Sequence, residues 1–548
     1  MINVNNNIVD NSFIKEFAKV SKGKKNNAKN EFKQKFVRKY IGQIVNRALT
    51  SQIVKNEEHQ LFLLTGNTGA GKSNWMINTF IPEAIKQGER ITIASNRTAL
   101  DKQTKTELSG VKEICFGKPE SKTYHKLTNE DLKNTTTLIC DEAHFFISDS
   151  TFNENAEHNL NMILDFYNQG GKVLFITATE WELKRYLEYL GYSDEIEIID
   201  CSKQTSWADR INITITSKSY KKLIPTFGQY KSICFENISK ERIEKRVENL
   251  ISEGLDVGYC RSIWIKGTTK KDEVEFSKMN YIIQNETTPF VHTYMTSAYD
   301  NGVHIKDENL KYIVIRNIYD IVSIVQMIGR KRFNANNEND KLEVYISVDI
   351  EQAKKQLSKI KDELKVEEDF RTMSKEEFLN AHIKTLAENE NNNFIVGIAN
   401  DNNLFVKKAK AIKLAFMHDY LINFLQSNFK KSIANFIAPY LNVDPKQIII
   451  DTTDKIEYVK KQNEVELNIA NNLLPLLKQI ENEKLYDDRL KEIRQMFVGK
   501  FGLKVRTGQL PTPKKINDII AIYGYQIETV KKMIKGIRYT VWIFEKVS

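Results

Sequence analysis

Short apolar runs separated by helical stretches set the rhythm of the first 350 residues: LFLLT at 61, ITIAS at 91, TTTLIC at 135, KVLFITAT at 172 and IEIID at 196. Strands that alternate with helices predict a parallel α/β sheet. After the polar segment SKQTSWAD a second series begins, with INITIT at 211, KSICF at 231, VGYC at 257, FVHTYMTS at 290, YIVIRN at 312 and LEVYISV at 342. It predicts a second α/β domain of similar size. Beyond Ile350 the pattern turns to long Lys/Glu-rich segments with helical periodicity, broken by Asn-rich joints such as ENENNN at 388. Upstream, a Lys-rich stretch places Phe32, Phe36, Tyr40 and Ile44 near helical spacing and predicts a basic helical extension. The expected divisions are an extension at 1–50, α/β domains at 51–205 and 206–350, and a mostly α-helical region at 351–548.

Candidate chemistry enters at the end of the first strand. Gly66-Asn67-Thr68-Gly69-Ala70-Gly71-Lys72-Ser73 follows LFLLT and precedes a helical segment, the context a phosphate-binding P-loop requires. Glycines let backbone N–H groups curl around phosphate oxygens, the lysine reaches the β and γ phosphates, and the hydroxyl of Ser73 serves Mg²⁺. ATP and Mg²⁺ are the expected ligands. Asp141-Glu142-Ala143-His144 closes the strand TTTLIC, from which a carboxylate reaches the same nucleotide. Asp141 is expected to hold Mg²⁺ through water, and Glu142 to orient and deprotonate the attacking water.

With these motifs in place, most of residues 60–333 resemble the superfamily 2 helicases. The resemblance implies two tandem RecA-like P-loop domains with parallel sheets, followed here by the α-helical C-terminal region. Ser95-Asn96-Arg97-Thr98-Ala99-Leu100, continuing to Gln103, is similar to motif Ia, which implies that Asn96 and Arg97 touch a nucleic-acid backbone. Thr123-Tyr124-His125-Lys126 stands where motif Ib is expected. Thr177-Ala178-Thr179 resembles motif III, implying that Thr177 and Thr179 couple nucleotide state to the grip on a strand. The stretch from Thr296 to Ile305 resembles motif V, which implies nucleic-acid contacts for Thr296 and Ser297 and a nucleotide contact for Gly302. His304 departs from the Asp or Asn usual in the family.

Gln326-Met327-Ile328-Gly329-Arg330-Lys331-Arg332 resembles motif VI, implying catalytic roles for Gln326, Arg330 and Arg332 at the γ-phosphate. Arginine suits that place because its fixed fork and permanent charge meet phosphate bidentately. Arg330 matches the first arginine of the motif; the second is expected at Phe333, so Arg332 stands in one residue short. No adenine-reading Q motif can be assigned upstream of the P-loop. About twenty residues separate motifs V and VI, too few for the strand-separating hairpin of the larger DEAH RNA helicases. The pattern looks more like viral, plasmid or herpesvirus origin-binding helicases.

Charge sharpens this only modestly. Subtracting 71 acidic from 81 basic side chains leaves +10, which favours a polyanionic partner. Nucleic acid is the expected one, DNA before RNA, with replication proteins of a mobile element as further partners. Cys115, Cys140, Cys201, Cys234 and Cys260 stand far apart without a CxxC pair, so neither a zinc site nor a disulfide framework is expected. The polar opening MINVNNNIVDNSF is not a secretory signal, and no apolar run reaches spanning length, so the chain is expected in the cytoplasm of a bacterium or a virus-infected cell.

The tail PTPKKINDIIAIYGYQIETVKKMIKGIRYTVWIF predicts a helix, a turn at Gly524, a second helix carrying Thr529, Lys531, Lys532 and Lys535, and an aromatic strand. This is similar to a small helix-turn-helix or winged-helix unit; an ordinary basic helical pair gives the same pattern. The favoured reading is an ATP-dependent helicase or translocase in replication of a phage, plasmid or other mobile element. Two alternatives share the motifs: a duplex translocase, remodeller or defence motor that never separates strands, and an ATP-switched origin-binding initiator.

Overall fold

In the computed structural model the described residues are 38–57, 60–96, 108, 119–153, 155–260, 270–296, 303–388, 395–398, 404–426, 428–453, 472–499, 501, 503, 509–521, 524–534 and 536–547. Each apolar run of the first series becomes a strand: β1 (Leu61–Thr65), β2 (Ile91–Ser95), β4 (Thr137–Asp141), β5 (Lys172–Thr177) and β6 (Ile196–Asp200). A polar run, Glu120–Thr123, supplies β3. Among the described residues these strands form a parallel sheet in the order β3-β2-β4-β5-β1-β6. Helices cover both faces of such a sheet, which is why β1, β2, β4 and β5 are buried along their whole length. Phe62 and Leu64 pack on one face with Ile77, Phe80 and Ile81, while Leu61 and Leu63 join the core on the other.

The second series gives β7 (Ile211–Thr216), β8 (Lys231–Glu236), β9 (Val257–Cys260), β10 (His292–Met295), β11 (Leu310–Arg316) and β12 (Leu342–Ser347). These are parallel in the order β7-β12-β11-β8-β10-β9. The α/β expectation of two parallel sheets therefore holds.

Two boundaries differ from the sequence reading. Upstream of the P-loop, Ile41–Ile44 and Arg47–Lys55 are helices, and Ile41, Val45, Ile53 and Val54 are buried in the core of the first lobe. Their apolar residues make them part of that lobe; residues 1–37 lie outside the described residues. Downstream, the chain divides after Asp451, inside the expected helical region. Helices Ile350–Thr372, Lys408–Phe424 and Phe429–Ile437 share the core of the two sheets. A short antiparallel pair, β13 (Val396–Ile398) and β14 (Leu404–Val406), interrupts them. The segment ends in β15 (Ile449–Ile450), which pairs with β7 at the edge of the second sheet.

The unit formed by Thr452–Ser548 closes its own core from helices Leu474–Ile480, Asp487–Gly499 and Pro513–Ile520 and an antiparallel hairpin, β16 (Tyr525–Ile534) and β17 (Ile537–Lys546). The second helix expected after Gly524 is thus a strand. Tyr525 and Ile527 alternate with exposed Gln526 and Glu528, and this period of two overrides the wider spacing of Ile527 and Ile534. Thr529, Lys531 and Lys532 lie on the strand, and Lys535 lies outside the described residues. No helix among the described residues is long and apolar enough to cross a membrane.

Candidate active site between the two lobes

The P-loop leaves the C-terminal end of β1 and turns into a helix at Lys72. Gly69 and Gly71 take φ angles of +72° and +81°, a left-handed backbone that a side chain would strain. At Gly66 the space is tight instead: a Cβ there would stand 2.8 Å from Ile41 Cδ1, so that side chain would have to shift. The Asn67 N–H donates to Thr205 Oγ1 at 2.9 Å, holding the loop to the segment after β6. Ala70 is buried and its carbonyl accepts from the Ile41 N–H at 2.9 Å.

Lys72 folds over this loop, its Nζ donating to the carbonyls of Gly66 at 2.8 Å and Asn67 at 3.1 Å. Burial pulls its ammonium down to about 8, aided by Arg332 and Arg330 and opposed by Glu142 and Asp141. Ser73, the next residue, is exposed at the start of the helix.

Strand register brings the carboxylates alongside. β5 lies between β1 and β4, pairing Leu64 with Ile176 and Ile176 with Asp141, so Asp141 and the start of the P-loop share one end of the sheet. The Asp141 carboxylate accepts from the Glu142 N–H at 3.0 Å. From inside, the buried Tyr124 hydroxyl donates to the Asp141 carbonyl at 2.8 Å, so that part of the expected motif Ib braces the carboxylate strand. Glu142 has a φ of +53°, a costly conformation for a residue with a side chain. Burial pushes its carboxyl up, but His144, Lys72, Arg330 and Arg332 together outweigh burial and hold it below the ordinary glutamate value.

From Glu142 a chain of polar contacts crosses to the second lobe. His144 Nδ1 lies 3.4 Å from Glu142 Oε2 and 3.3 Å from Thr177 Oγ1. Thr177 Oγ1 accepts from the Thr179 N–H at 3.1 Å, and Gln326 Nε2 donates to Thr179 Oγ1 at 3.4 Å. Thr177, Thr179 and Gln326 are all buried, which protects these contacts from competing water.

The arginines take unequal places. Arg330 is turned inward: Nε and Nη2 donate to the Gln326 carbonyl and Oε1, both at 3.0 Å, and Nη1 donates to the Val303 carbonyl at 3.1 Å. Arg332 instead faces the P-loop, with Nη1 3.0 Å from where a Cβ on Gly69 would stand. That nitrogen is buried without a hydrogen-bond partner. Next to it, Gly329 lies so close to Thr68 that a Cβ on Gly329 would be 2.2 Å from Thr68 Oγ1.

Of the expected nucleic-acid residues, Asn96 is buried at the end of β2 with Nδ2 unpartnered, and Thr296 has a buried, unpartnered Oγ1 after β10. Arg97, Ser297 and Gly302 lie outside the described residues. Thr296, His144 and Gln326 line a cavity of about 1340 Å³. Its other walls carry Arg242 of the second lobe and Lys355 and Lys359 of the helical segment.

Sequence reasoning missed a cluster on the outer side of the P-loop. Arg38 donates through Nη2 to the Gly69 carbonyl at 2.9 Å and through Nε to the Thr205 carbonyl at 3.1 Å. Its guanidinium lies over the ring of Trp207, 3.1 Å from the centroid, and 4.8 Å from that of Tyr40. Tyr40 is 40% exposed and stands 3.5 Å from a Cβ position on Gly71. The clue was a cation and an aromatic close together, Arg38 and Tyr40, two helices before the P-loop strand and hidden within a periodicity read only as helix.

Fold and site together define a two-lobed, helicase-like P-loop protein. More particularly, the first lobe is similar to one described family: the model of the Schlafen group 3 DNA/RNA helicase domain matches residues 59–180, which carry the P-loop, Asp141, Glu142, Thr177 and Thr179. No curated protein matches the sequence. Among solved structures, S. cerevisiae Dbp5 bound to RNA and ADP BeF3 is similar with a TM-score of 0.40 at 10% identity, over 56% of this chain and 84% of that one. Escherichia coli DEAH/RHA helicase HrpB gives 0.36 at 14% identity, over 56% of this chain and 43% of that one. None of the three is described as a viral, plasmid or origin-binding helicase.

Proposed function

We propose that this chain is a nucleic-acid motor that hydrolyses ATP between its two lobes. The observation that carries the proposal is that Arg332 of the second lobe lies against Gly69 of the P-loop, over which Lys72 folds, with Glu142 following the strand whose register places its end beside that loop. Glu142, held ionised, accepts a proton from water. Lys72 exchanges its two carbonyl partners for phosphate oxygens, and Arg332 Nη1 meets charge that develops on the γ-phosphate.

The residues also fit a magnesium ion: Asp141 ends β4 beside the loop, and Ser73 opens the helix with its side chain accessible. When bound there, Mg²⁺ neutralises phosphate charge. The large cavity suits a single strand, since Thr296 and His144 connect it to the hydrolytic groups and Arg242, Lys355 and Lys359 supply cations for phosphates. The contacts from Glu142 to Gln326 give nucleotide state a route between lobes. Tyr40, beside Gly71, offers a face for the base.

DNA as the track, and replication of a phage, plasmid or other mobile element as the setting, belong to this proposal; the motif pattern and the positive charge support them. The test is ATPase activity with Mg²⁺ across single- and double-stranded DNA and RNA, with strand displacement read in parallel. Stimulation by a nucleic acid that Lys72→Ala abolishes is expected. Wild-type hydrolysis that no nucleic acid stimulates, or hydrolysis that Lys72→Ala leaves unchanged, would remove the motor reading.

A further inference from the structure

The second arginine of the cleft comes one residue earlier than its helicase motif requires, and His304, in the expected motif V, departs from the same pattern. These two irregularities touch. Arg332 donates from Nε and Nη2 to His304 Nδ1, at 3.2 and 2.9 Å. A guanidinium has donors only, so Nδ1 must present its lone pair, and the imidazole carries its hydrogen on Nε2.

The backbone fixes this meeting. Ile305 and Lys331 form a parallel bridge, in which the Ile305 N–H donates to the Arg330 carbonyl at 2.9 Å and the Arg332 N–H to the Ile305 carbonyl at 2.8 Å. Between the arginines, Lys331 pairs with Asp340 at 2.8 Å, both side chains wholly buried. His304 and Arg332 are therefore held side by side by main chain, independently of their own contact.

We propose that His304 is a positioning residue: it grips the Nε–Nη2 edge of the Arg332 fork so that Nη1, the remaining terminal nitrogen, is aimed across the cleft at the P-loop. This rests on the reading of Arg332 as the γ-phosphate arginine. The arrangement compensates for the short spacing, because a shorter tether to the motif leaves the fork undirected unless something beside it sets its plane.

The choice of acceptor matters as much as the geometry. A carboxylate would bind the fork as firmly but neutralise part of the charge the phosphate is meant to feel. The imidazole holds it as a neutral group. Burial, then the charges of Arg332, Arg330 and Lys306, pull its pKa down to about 2, so it stays neutral throughout the working range.

The test is steady-state hydrolysis by the full-length chain, with kcat and the KM for ATP measured separately. Variants are Arg332→Ala, His304→Ala, His304→Asn and the double Arg332→Ala/His304→Ala, each with its melting midpoint. Arg332→Ala should lower kcat by about a hundredfold or more. His304→Ala should lower kcat on the order of tenfold with KM for ATP within about twofold, because a positioned group acts on the transition state. His304→Asn, which keeps a neutral acceptor, should recover most of it. In the Arg332→Ala background, His304→Ala should cost nothing more.

An unchanged kcat in His304→Ala alongside a damaged Arg332→Ala overturns the positioning role and leaves the arginine reading intact. Losses that multiply in the double variant do the same. If Arg332→Ala is silent while Lys72→Ala is inactive, the arginine assignment itself falls. Should His304→Ala fail to fold, His304→Asn decides: a wild-type midpoint with a tenfold lower kcat refutes an acceptor role, whereas retained activity supports it.

Discussion

Lys72 is the residue whose protonation the cleft adjusts most usefully. Its ordinary value of 10.5 is lowered to about 8, and bound phosphate favours the ammonium. Above pH 8 the free protein must take up a proton to bind nucleotide, so ATP affinity should fall by up to about tenfold per pH unit. A fluorescent ATP analogue titrated from pH 7 to 9.5 reads this, and a flat profile contradicts it. The same depression makes the unfolded chain bind the extra proton between the two values, so this residue's contribution to stability rises from pH 8 to 10.5.

Glu142→Gln should stop hydrolysis yet retain nucleotide, since it keeps the side-chain volume and removes the base; release of bound ATP on rapid filtration would argue otherwise. Where these two residues sit, after β1 and after β4, was legible from their neighbours in sequence. The division of labour between Arg330 and Arg332 was not, because the partners that turn Arg330 inward are the carbonyl of Val303 and the side chain of Gln326, and the former is supplied only by folding.

Gly329 and the helix Lys408–Phe424 matter as elements of the lobe interface. A Cβ on Gly329 would overlap every side-chain heavy atom of Thr68, the nearest at 2.2 Å. Gly329→Ala should thus force the lobes apart and reduce turnover by at least about tenfold. Thr68→Gly in the same chain should restore part of it; no restoration would place the fault elsewhere.

On the helix, Lys413 Nζ donates to both carboxylate oxygens of Glu182 in the first lobe, at 2.9 and 2.8 Å, and to Asp320 Oδ1 in the second at 2.7 Å. Lys413 and Glu182 are buried and Asp320 is largely so, with Tyr420 adding a hydrogen bond to Glu182 at 2.9 Å. Lys413→Met should cost about 3–5 kcal/mol, because two buried carboxylates lose their cation. Urea melts of the wild type and the variant measure it.

At this scale the continuous apolar strands could be read directly, since strands covered on both faces leave no polar alternation to confuse them. β3 was missed because Glu-Ser-Lys-Thr at a sheet edge carries no apolar signal. β16 was misread because isoleucines spaced seven apart suit a helix as well as a strand.

For the whole molecule, cores decide what can be removed. The clusters built around the two large sheets draw on residues up to Ile450, whereas the Leu473–Phe544 cluster is made within the last unit. Ending the chain after Asp451 should leave basal ATPase and the main melting transition in place. Loss of the basic residues Lys531, Lys532 and Arg538 of the hairpin should weaken nucleic-acid binding and lessen its dependence on salt. Binding isotherms at several salt concentrations check this, and an unchanged slope would deny the hairpin a phosphate contact.

β15 carries a further consequence. The helical segment departs from β12 and comes back as β15, and these two strands lie on either side of β7. In evolutionary terms such a loop of chain cannot be acquired or shed by a single crossover at the end of the second lobe, because that would strip the sheet of an edge. Exchange of modules between related genes should therefore leave the span from β7 to β15 inherited as one block, with recombination junctions gathering beyond Asp451.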